Sequence, residues 1–185
     1  FSILEDITVP VFNNIANFTD VQIYEGTLLT SNFTYSSRNS NQRFILPNSG
    51  IDTKLISVIV KNNSSSSVSV KYNQQNSLFE IDKESEVYFL QEVENEHYEL
   101  IFGDGMFGRK LQDGEVIQVS YILTNGDSAN GVSDFVFSGR IIYNRNGVDY
   151  SVTNGISLIT ADSVANGGEQ IESVDSIKKY APRIY

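Results

Sequence analysis

Apolar and polar residues alternate along much of this chain, which is the pattern of strands with one buried face. The runs are rich in Tyr, Phe, Val, Ile and Thr, the side chains that suit a pleated surface. The clearest runs predict three strands with apolar stripes, namely Tyr98, Leu100 and Phe102; Ile117, Val119 and Tyr121; and Val87, Phe89 and Val93. The pattern therefore predicts a mainly β protein.

Turn residues separate these runs. Asn-Gly, which tolerates the positive φ angles of tight hairpins, occurs at Asn125-Gly126, Asn130-Gly131, Asn146-Gly147, Asn154-Gly155 and Asn166-Gly167. The runs Arg140–Tyr143 and Val148–Val152, on either side of Asn144–Gly147, predict a β-hairpin. The serine run Ser64–Ser67 predicts an exposed connection between the strands of a second hairpin.

The two ends of the chain follow other patterns. Residues 1–20 lack a firm period and contain Pro10, which predicts a connecting arm or an edge strand. The polar segment 31–44 predicts a loop or an extended arm. Beyond Gly167-Gly168, apolar residues at helical spacing and a Ser at the N-cap position predict a helix. These residues are Val174, Ile177 and Ala181, with the cap at Ser173.

Together these patterns predict a mainly β fold of antiparallel sheets and hairpins, sandwich- or barrel-like, with a C-terminal helix leading into a further helical part. The expected parts are an arm or edge segment at 1–20, a β-rich domain or two small β subdomains at 21–166, and a Gly-Gly junction with the start of a helical region at 167–185. Because Phe1 is not Met and the last run resembles a helix, we expect a middle segment of a longer protein.

The composition limits the kinds of partner that we expect. The formal net charge is −10, with 23 acidic against 13 basic residues. Phosphate-backbone binding is carried by clustered Lys and Arg, so we expect no nucleic-acid partner. Cys is absent, which excludes disulfides and thiolate metal sites. The apolar runs are too short to cross a bilayer, so we expect no membrane partner.

One stretch imitates a cofactor loop. Gly103, Gly105 and Gly108 satisfy the G-x-G-x-x-G spacing of dinucleotide-binding loops. That loop must open a helix, yet only a short connection separates Gly108 from the strand expected at 115–123. A kinase-type loop requires Val where Lys110 stands. The spacing therefore does not predict a nucleotide site.

The same glycines have a structural explanation. They permit backbone angles that other residues resist, so we expect them to reverse the chain and let strand 98–102 rejoin strand 115–123. Arg109 and Lys110 add positive charge there, either for Asp104 or Asp113 or for a partner.

The remaining candidate residues predict no catalytic, cofactor-binding or metal site. His97 is the sole histidine, which argues against zinc, and we expect a solvent-facing turn residue. Three acidic pairs raise the question of glycoside hydrolysis, namely Glu94 with Glu96, Asp82 with Glu84, and Asp104 with Asp113. Acids in Gly-rich turns raise the question of calcium but match no calcium loop, namely Asp104, Asp113, Asp127 and Asp134. Glycosylation sequons occur at Asn17, Asn32, Asn62 and Asn63, and the abundance of Asn, Ser and Thr explains them.

Longer motifs add a resemblance. The stretches "VQIYEGTL", "NQRFILPNSGIDTKLISVIVKN" and "GGEQIESVDSIKKYAPRIY" occur in this order around F-G-D-G-x-x-G-[RK]-x-x-x-x-G at Phe102–Gly114. Together they resemble the baseplate wedge proteins of contractile-tailed phages, more narrowly the large wedge subunit of T-even-type and cyanophage-like myophages in the baseplate J-like group. The resemblance extends from about Val21 to Tyr185.

The resemblance implies a structural subunit of the virion, assembled in the host cytoplasm, and no enzyme or cofactor. Members pair as dimers within each wedge, join into a ring around the hub, contact other wedge proteins and relay the change of baseplate shape toward the sheath. Two other functions stay open. One is a carbohydrate- or receptor-binding β module of a phage tail, and the other is a hydrolase that uses paired acids.

Overall fold

The computed structural model describes residues 1–159 and 164–170, which form a mainly β protein as predicted. The chain divides into two compact units, Phe1–Asn125 and Gly126–Tyr185. The strands of the described residues are β1 (Thr27–Thr34), β2 (Phe44–Ile45), β3 (Ile51–Lys61), β4 (Ser69–Gln74), β5 (Val87–Val93), β6 (His97–Phe102), β7 (Val116–Leu123), β8 (Ile141–Arg145) and β9 (Val148–Val152).

The first unit is one curled sheet in the order β1-β7-β3-β4-β5-β6-β2. Neighbouring strands are antiparallel except β4 and β5, whose parallel pairing requires the long connection 75–86. The terminal strands β1 and β2 meet through Phe33 and Phe44, whose ring centroids are 5.7 Å apart in an edge-to-face contact. The sheet is therefore a nearly closed barrel with a seam between β1 and β2.

The barrel interior is filled by the faces that the alternation predicted for β6 and β7. Ile117, Val119 and Tyr121 are buried, and so is Leu100. Phe102 packs edge-to-face on Phe44, at a centroid distance of 5.5 Å. Burial of such side chains contributes about 1.5–3 kcal/mol each to folding. These two stripes are confirmed.

The prediction for β5 was wrong about the face. Its residues in the core cluster are Tyr88 and Leu90, whereas Phe89 and Val93 lie on the opposite face, half-buried and outside the cluster. Val87 is buried, but it lies against Gly108 of the β6–β7 connection. Because β5 has apolar residues on both faces, alternation alone does not identify the inner one.

The structure differs from two further predictions. Residues 31–34, expected in a loop or extended arm, continue β1, and Phe33 packs against the core. Strands β6 and β7, expected to rejoin, are not neighbours: β6 pairs with β5 and β2, and β7 pairs with β1 and β3. The strands do run in opposite directions, but their connection crosses the seam.

The N-terminal segment 1–24, all of it described, forms no regular strand. Isolated bridges join Ser2 to Tyr24 and Phe12 to Ile15. Glu5 accepts a hydrogen bond of 2.6 Å from the Lys71 ammonium of β4, which lowers the pKa of the Glu5 carboxyl. The segment is thus an arm attached to the barrel at a few points.

Both predicted hairpins are confirmed. β8 and β9 pair in register around Asn146-Gly147, whose φ angles of 54° and 81° are those of a two-residue type I′ turn. β3 and β4 pair on either side of the mostly exposed serine run. The helix predicted from Ser173 onward lies outside the described residues.

The buried tyrosine of β5 gives a pH prediction. Burial raises the pKa of Tyr88 from 10 to about 12. Between these values the unfolded chain loses the phenolic proton while the folded chain keeps it, so the free energy of unfolding should fall as pH rises. We expect Tyr88→Phe to flatten this fall, measured by urea unfolding across that pH range. An identical pH profile in the variant would contradict the assignment.

Candidate functional site at the glycine-rich crossover

The connection between β6 and β7, residues 103–115, carries the cofactor-like motif and is called the crossover below. Its two ends approach one another, since Gly103 and Lys110 form an isolated bridge. A Cβ on Gly103 would overlap the carbonyl carbon and oxygen of Gly108. Gly108 itself has a φ of +87° and lies against Val87. The glycine spacing is therefore required by a chain that passes close to itself.

The backbone N–H groups of residues 105–109 in the crossover all donate to acceptors within the protein. Those of Met106 and Phe107 donate to Asp104 Oδ1 at 2.8 and 3.0 Å, and these bonds, Phe107 first, lower the pKa of Asp104. Three further N–H groups donate to carbonyl oxygens: Gly105 to Gly108 at 3.1 Å, Gly108 to Asp82 at 2.9 Å and Arg109 to Ser85 at 2.8 Å. A phosphate-binding loop presents such groups to its ligand. Here five successive donors already have acceptors.

A charged network closes the crossover. Arg109 donates from Nη2 to Glu115 Oε1 at 2.7 Å and from Nε to the Tyr72 hydroxyl at 2.6 Å. The N–H of Gln112 donates to Glu115 Oε2 at 2.8 Å. Burial acts to lower the pKa of Arg109, but the bonds to Glu115 and Tyr72 outweigh it and raise the pKa. Arg109 thus pairs with Glu115 and not with Asp104 or Asp113, the acids expected from the sequence.

Two other candidate acids, Asp113 and Asp82, accept hydrogen bonds from loop residues. Asp113 accepts from the N–H and hydroxyl of Ser37 at 2.7 and 3.0 Å, and Asp82 accepts from the N–H of Glu84 and the hydroxyl of Ser85 at 2.9 and 2.8 Å. Glu94 and Glu96 lie in the 3₁₀ turn between β5 and β6. Within 1–159 and 164–170, no three His, Cys, Asp or Glu residues are grouped so that they could hold a metal ion.

His97 differs from the expected solvent-facing turn residue. It is the first residue of β6 and is half-buried. Its Nδ1 lies 2.9 Å from the carbonyl oxygen of Asn95 and its Nε2 lies 3.3 Å from that of Pro47. Both ring nitrogens therefore face backbone oxygens, which gives His97 a structural role.

A shallow depression of about 220 Å³ lies at the seam, between β6, β2 and the crossover. Two of its polar lining residues, Gln42 and Glu99, already have hydrogen-bond partners. Gln42 accepts from the N–H of Ser36 at 2.8 Å and donates to the carbonyl of Thr34 at 2.7 Å. Glu99 accepts two hydrogen bonds from Arg43, at 2.9 and 2.6 Å. These hydrogen bonds lower the pKa of the Glu99 carboxyl. The described residues that line the depression include one carboxylate, Glu99, which is bound to Arg43. They therefore offer no pair of free carboxyls for glycoside hydrolysis.

The Gly-Gly junction is tied down within the second unit. The side chain of Asn130 donates to the carbonyl of Gly168 at 2.9 Å and accepts from the N–H of Gly168 at 3.1 Å. Gly167 has a φ of +83°, and a Cβ on Gly168 would lie 2.5 Å from the carbonyl oxygen of Gly126. Both positions therefore favour glycine, Gly167 for its positive φ and Gly168 for its close approach to the backbone.

The second unit exposes apolar side chains that the sequence did not predict as a site. In the second unit none of the described residues is buried. Tyr143, Val148 and Tyr150 of the β8–β9 hairpin are exposed. The alternation of the β8–β9 hairpin could have identified these residues, because they share one face.

No helix in the described part of the chain is long and apolar enough to cross a membrane. No protein-family model matches the chain, and no curated protein matches it either.

Proposed function

We propose that this chain is a structural subunit of the baseplate wedge of a contractile phage tail, which assembles into the ring around the hub and relays conformational change toward sheath contraction. One of the motifs that carry the resemblance, Phe102–Gly114, supports this proposal through one observation. Its five successive N–H donors are satisfied within the protein, so these groups of the motif serve folding, as we expect in a structural subunit.

The distribution of apolar surface also favours an assembly role. The barrel has its own core, whereas the second unit exposes large apolar side chains and buries none of its described residues. Exposed apolar side chains that form a contiguous patch are typical of sites that bind other proteins. We propose a second copy of the chain and other wedge proteins as the partners, and the virion tail baseplate as the location.

Immunogold labelling of purified contractile-tailed particles with an antibody against this chain tests the proposal. We expect label at the baseplate end of the tail. Label at fibre tips would favour the receptor-binding alternative, and particles without label would contradict the proposal.

The Gly-Gly junction supplies an assembly variant. Replacing Gly167 and Gly168 by Val should prevent incorporation of the chain into particles, because one position has positive φ and the other faces the backbone of Gly126. Gly155→Val is the control, since Gly155 also has positive φ but nothing lies within 4 Å of its Cβ position. Incorporation of the double variant at the control's level would refute this role of the junction.

A carbohydrate-binding module is the second candidate, and one observation favours it. Tyr143 and Tyr150 are exposed cross-strand neighbours, and exposed aromatic rings stack on sugars. A glycan array comparing the chain with Tyr150→Ala discriminates. Binding that the substitution abolishes would support this candidate over a purely structural role.

A further inference from the structure

The β8–β9 hairpin is a two-stranded ribbon with one apolar face. The register places Tyr143 opposite Tyr150 and Arg145 opposite Val148. Cross-strand partners share a face, so one face combines Ile141, Tyr143, Val148, Tyr150 and Val152 with Arg145. Tyr150, Val148 and Tyr143 of that face are 53%, 51% and 39% exposed. The opposite face carries the hydrogen bond of 2.6 Å between Asn144 and Asp149.

This ribbon needs further strands. An isolated two-stranded hairpin is marginally stable in water, and three or more strands with an apolar face give independent stability. Within the described residues, β8 and β9 pair only with each other. Each strand therefore has an outer edge without a described partner strand.

The turn determines which backbone groups lie at the outer edge of β9. In a two-residue hairpin the residues that flank the turn, Arg145 and Val148, form a hydrogen-bonded pair. Hydrogen-bonded and non-hydrogen-bonded pairs alternate along an antiparallel ladder. The N–H and C=O groups of Val148, Tyr150 and Val152 consequently face β8, while those of Asp149 and Ser151 point outward.

The sequence of β9, Val-Asp-Tyr-Ser-Val, is complementary to itself in the antiparallel direction. We propose that β9 pairs with β9 of a second copy about a two-fold axis at Tyr150. Val148 then faces Val152 of the second copy, Asp149 faces Ser151, and Tyr150 faces Tyr150. A two-fold interface requires such self-complementarity. The product is a four-stranded sheet, β8-β9-β9-β8, with one continuous apolar face.

This register also uses the outward backbone groups. Asp149 and Ser151 of the second copy form hydrogen-bonded pairs, and Tyr150 falls at a non-hydrogen-bonded pair, where side chains are closest. A shift of two residues toward the turn would instead place Asp149 against Asp149. Like charges directly opposite one another are destabilising, so the sequence selects the central register.

The edge of β8 fits a second copy less well. Pairing of β8 with itself about Tyr143 would place Ile141 against Arg145 and Ile142 against Asn144. These pairs match an apolar side chain with a charged or polar one. The inference rests on the proposed function only in taking a second copy as partner, and it goes further by naming the strand, the register and the axis.

Single cysteines test the axis directly, because the natural chain contains none. In the whole 185-residue chain, Tyr150→Cys should oxidise to a disulfide-linked dimer, since residue 150 faces its own copy across the axis. Tyr143→Cys is the matched control. It lies on the same face, but two β8 strands are separated by three strand spacings, about 14 Å, beyond the reach of a disulfide. Equal cross-linking of both variants would overturn the proposal.

A charge pair tests the register. In the dimer, Ser151→Lys places a positive charge opposite Asp149 of the second copy, at two symmetric positions. Ser151→Asp places a negative charge at the same two positions. Analytical ultracentrifugation should show dimerisation tightened by the first and weakened by the second, each by roughly 2- to 30-fold. Equal dissociation constants for both variants would refute the register.

The outcomes separate the two proposals. Dimers without cross-linking of Tyr150→Cys would refute the β9 axis and leave the baseplate function standing. Cross-linking without label at the baseplate in tail particles would support the axis and contradict the function. A chain that stays monomeric at all concentrations would overturn the β9 pairing.

Discussion

Gly103→Ala is expected to destabilise the barrel by about 3 kcal/mol. The added Cβ would overlap the carbonyl carbon and oxygen of Gly108. Both groups are backbone, so no flexible side chain can give way. The crossover must then open, and the N–H bonds from Gly105 and Gly108 weaken with it. Urea unfolding of the purified chain measures the loss.

Gly114→Ala is the matched control in the same crossover. Gly114 has a φ of +86°, but nothing lies within 4 Å of its Cβ position. Only the backbone strain of the left-handed region remains, about 1–2 kcal/mol. Equal losses for the two variants would contradict the close approach at Gly103. A large rise in melting temperature with ATP or NAD would show that the motif binds a nucleotide after all.

Glu115→Leu is expected to cost about 3–5 kcal/mol, because it leaves a guanidinium in the barrel wall without its carboxylate. The side chains of Arg109 and Glu115 are 21% and 6% exposed. The N–H of Gln112 also loses its acceptor. Chemical unfolding followed by circular dichroism gives the change in the free energy of unfolding.

The double variant Arg109→Met/Glu115→Leu checks the cause. Removing both charges should recover much of the stability lost by the single change, since a buried ion pair can often be replaced by apolar residues. Arg43→Met is the exposed control, because the Arg43 side chain in the pair with Glu99 is 56% exposed, and its effect should be much smaller. A double variant as unstable as the sum of the two single variants would contradict this explanation.

The predictions that were confirmed depended on residues that are close together in the sequence. Asn146-Gly147 specified the β8–β9 turn because these two residue types tolerate consecutive positive φ angles. Ile117, Val119 and Tyr121 identified the inner face of β7 because polar residues alternate with them. In both cases the residues that decide the structure are neighbours in sequence.

The wrong predictions depended on contacts between distant segments. The inner face of β5 was misassigned because Val87 packs beneath the crossover, a contact that the alternation of β5 does not contain. The glycines of the crossover were expected to let β6 rejoin β7, but strand order is set by the closing of the whole barrel. Likewise, the pairing of Arg109 with Glu115 follows from the loop's path, which gives no regular spacing in sequence.

We propose that the second unit, unlike the barrel, is completed by a second copy of the chain. Hydrogen exchange of the whole chain at low and high protein concentration tests this difference most directly. The backbone amides of β3 and β7 should be protected at both concentrations, because they lie inside the barrel sheet. The amides of Asp149 and Ser151 should gain protection only at high concentration, as β9 pairs with its copy. Protection of β9 that does not depend on concentration, or barrel amides that exchange as fast as those of β9, would contradict this division of the chain.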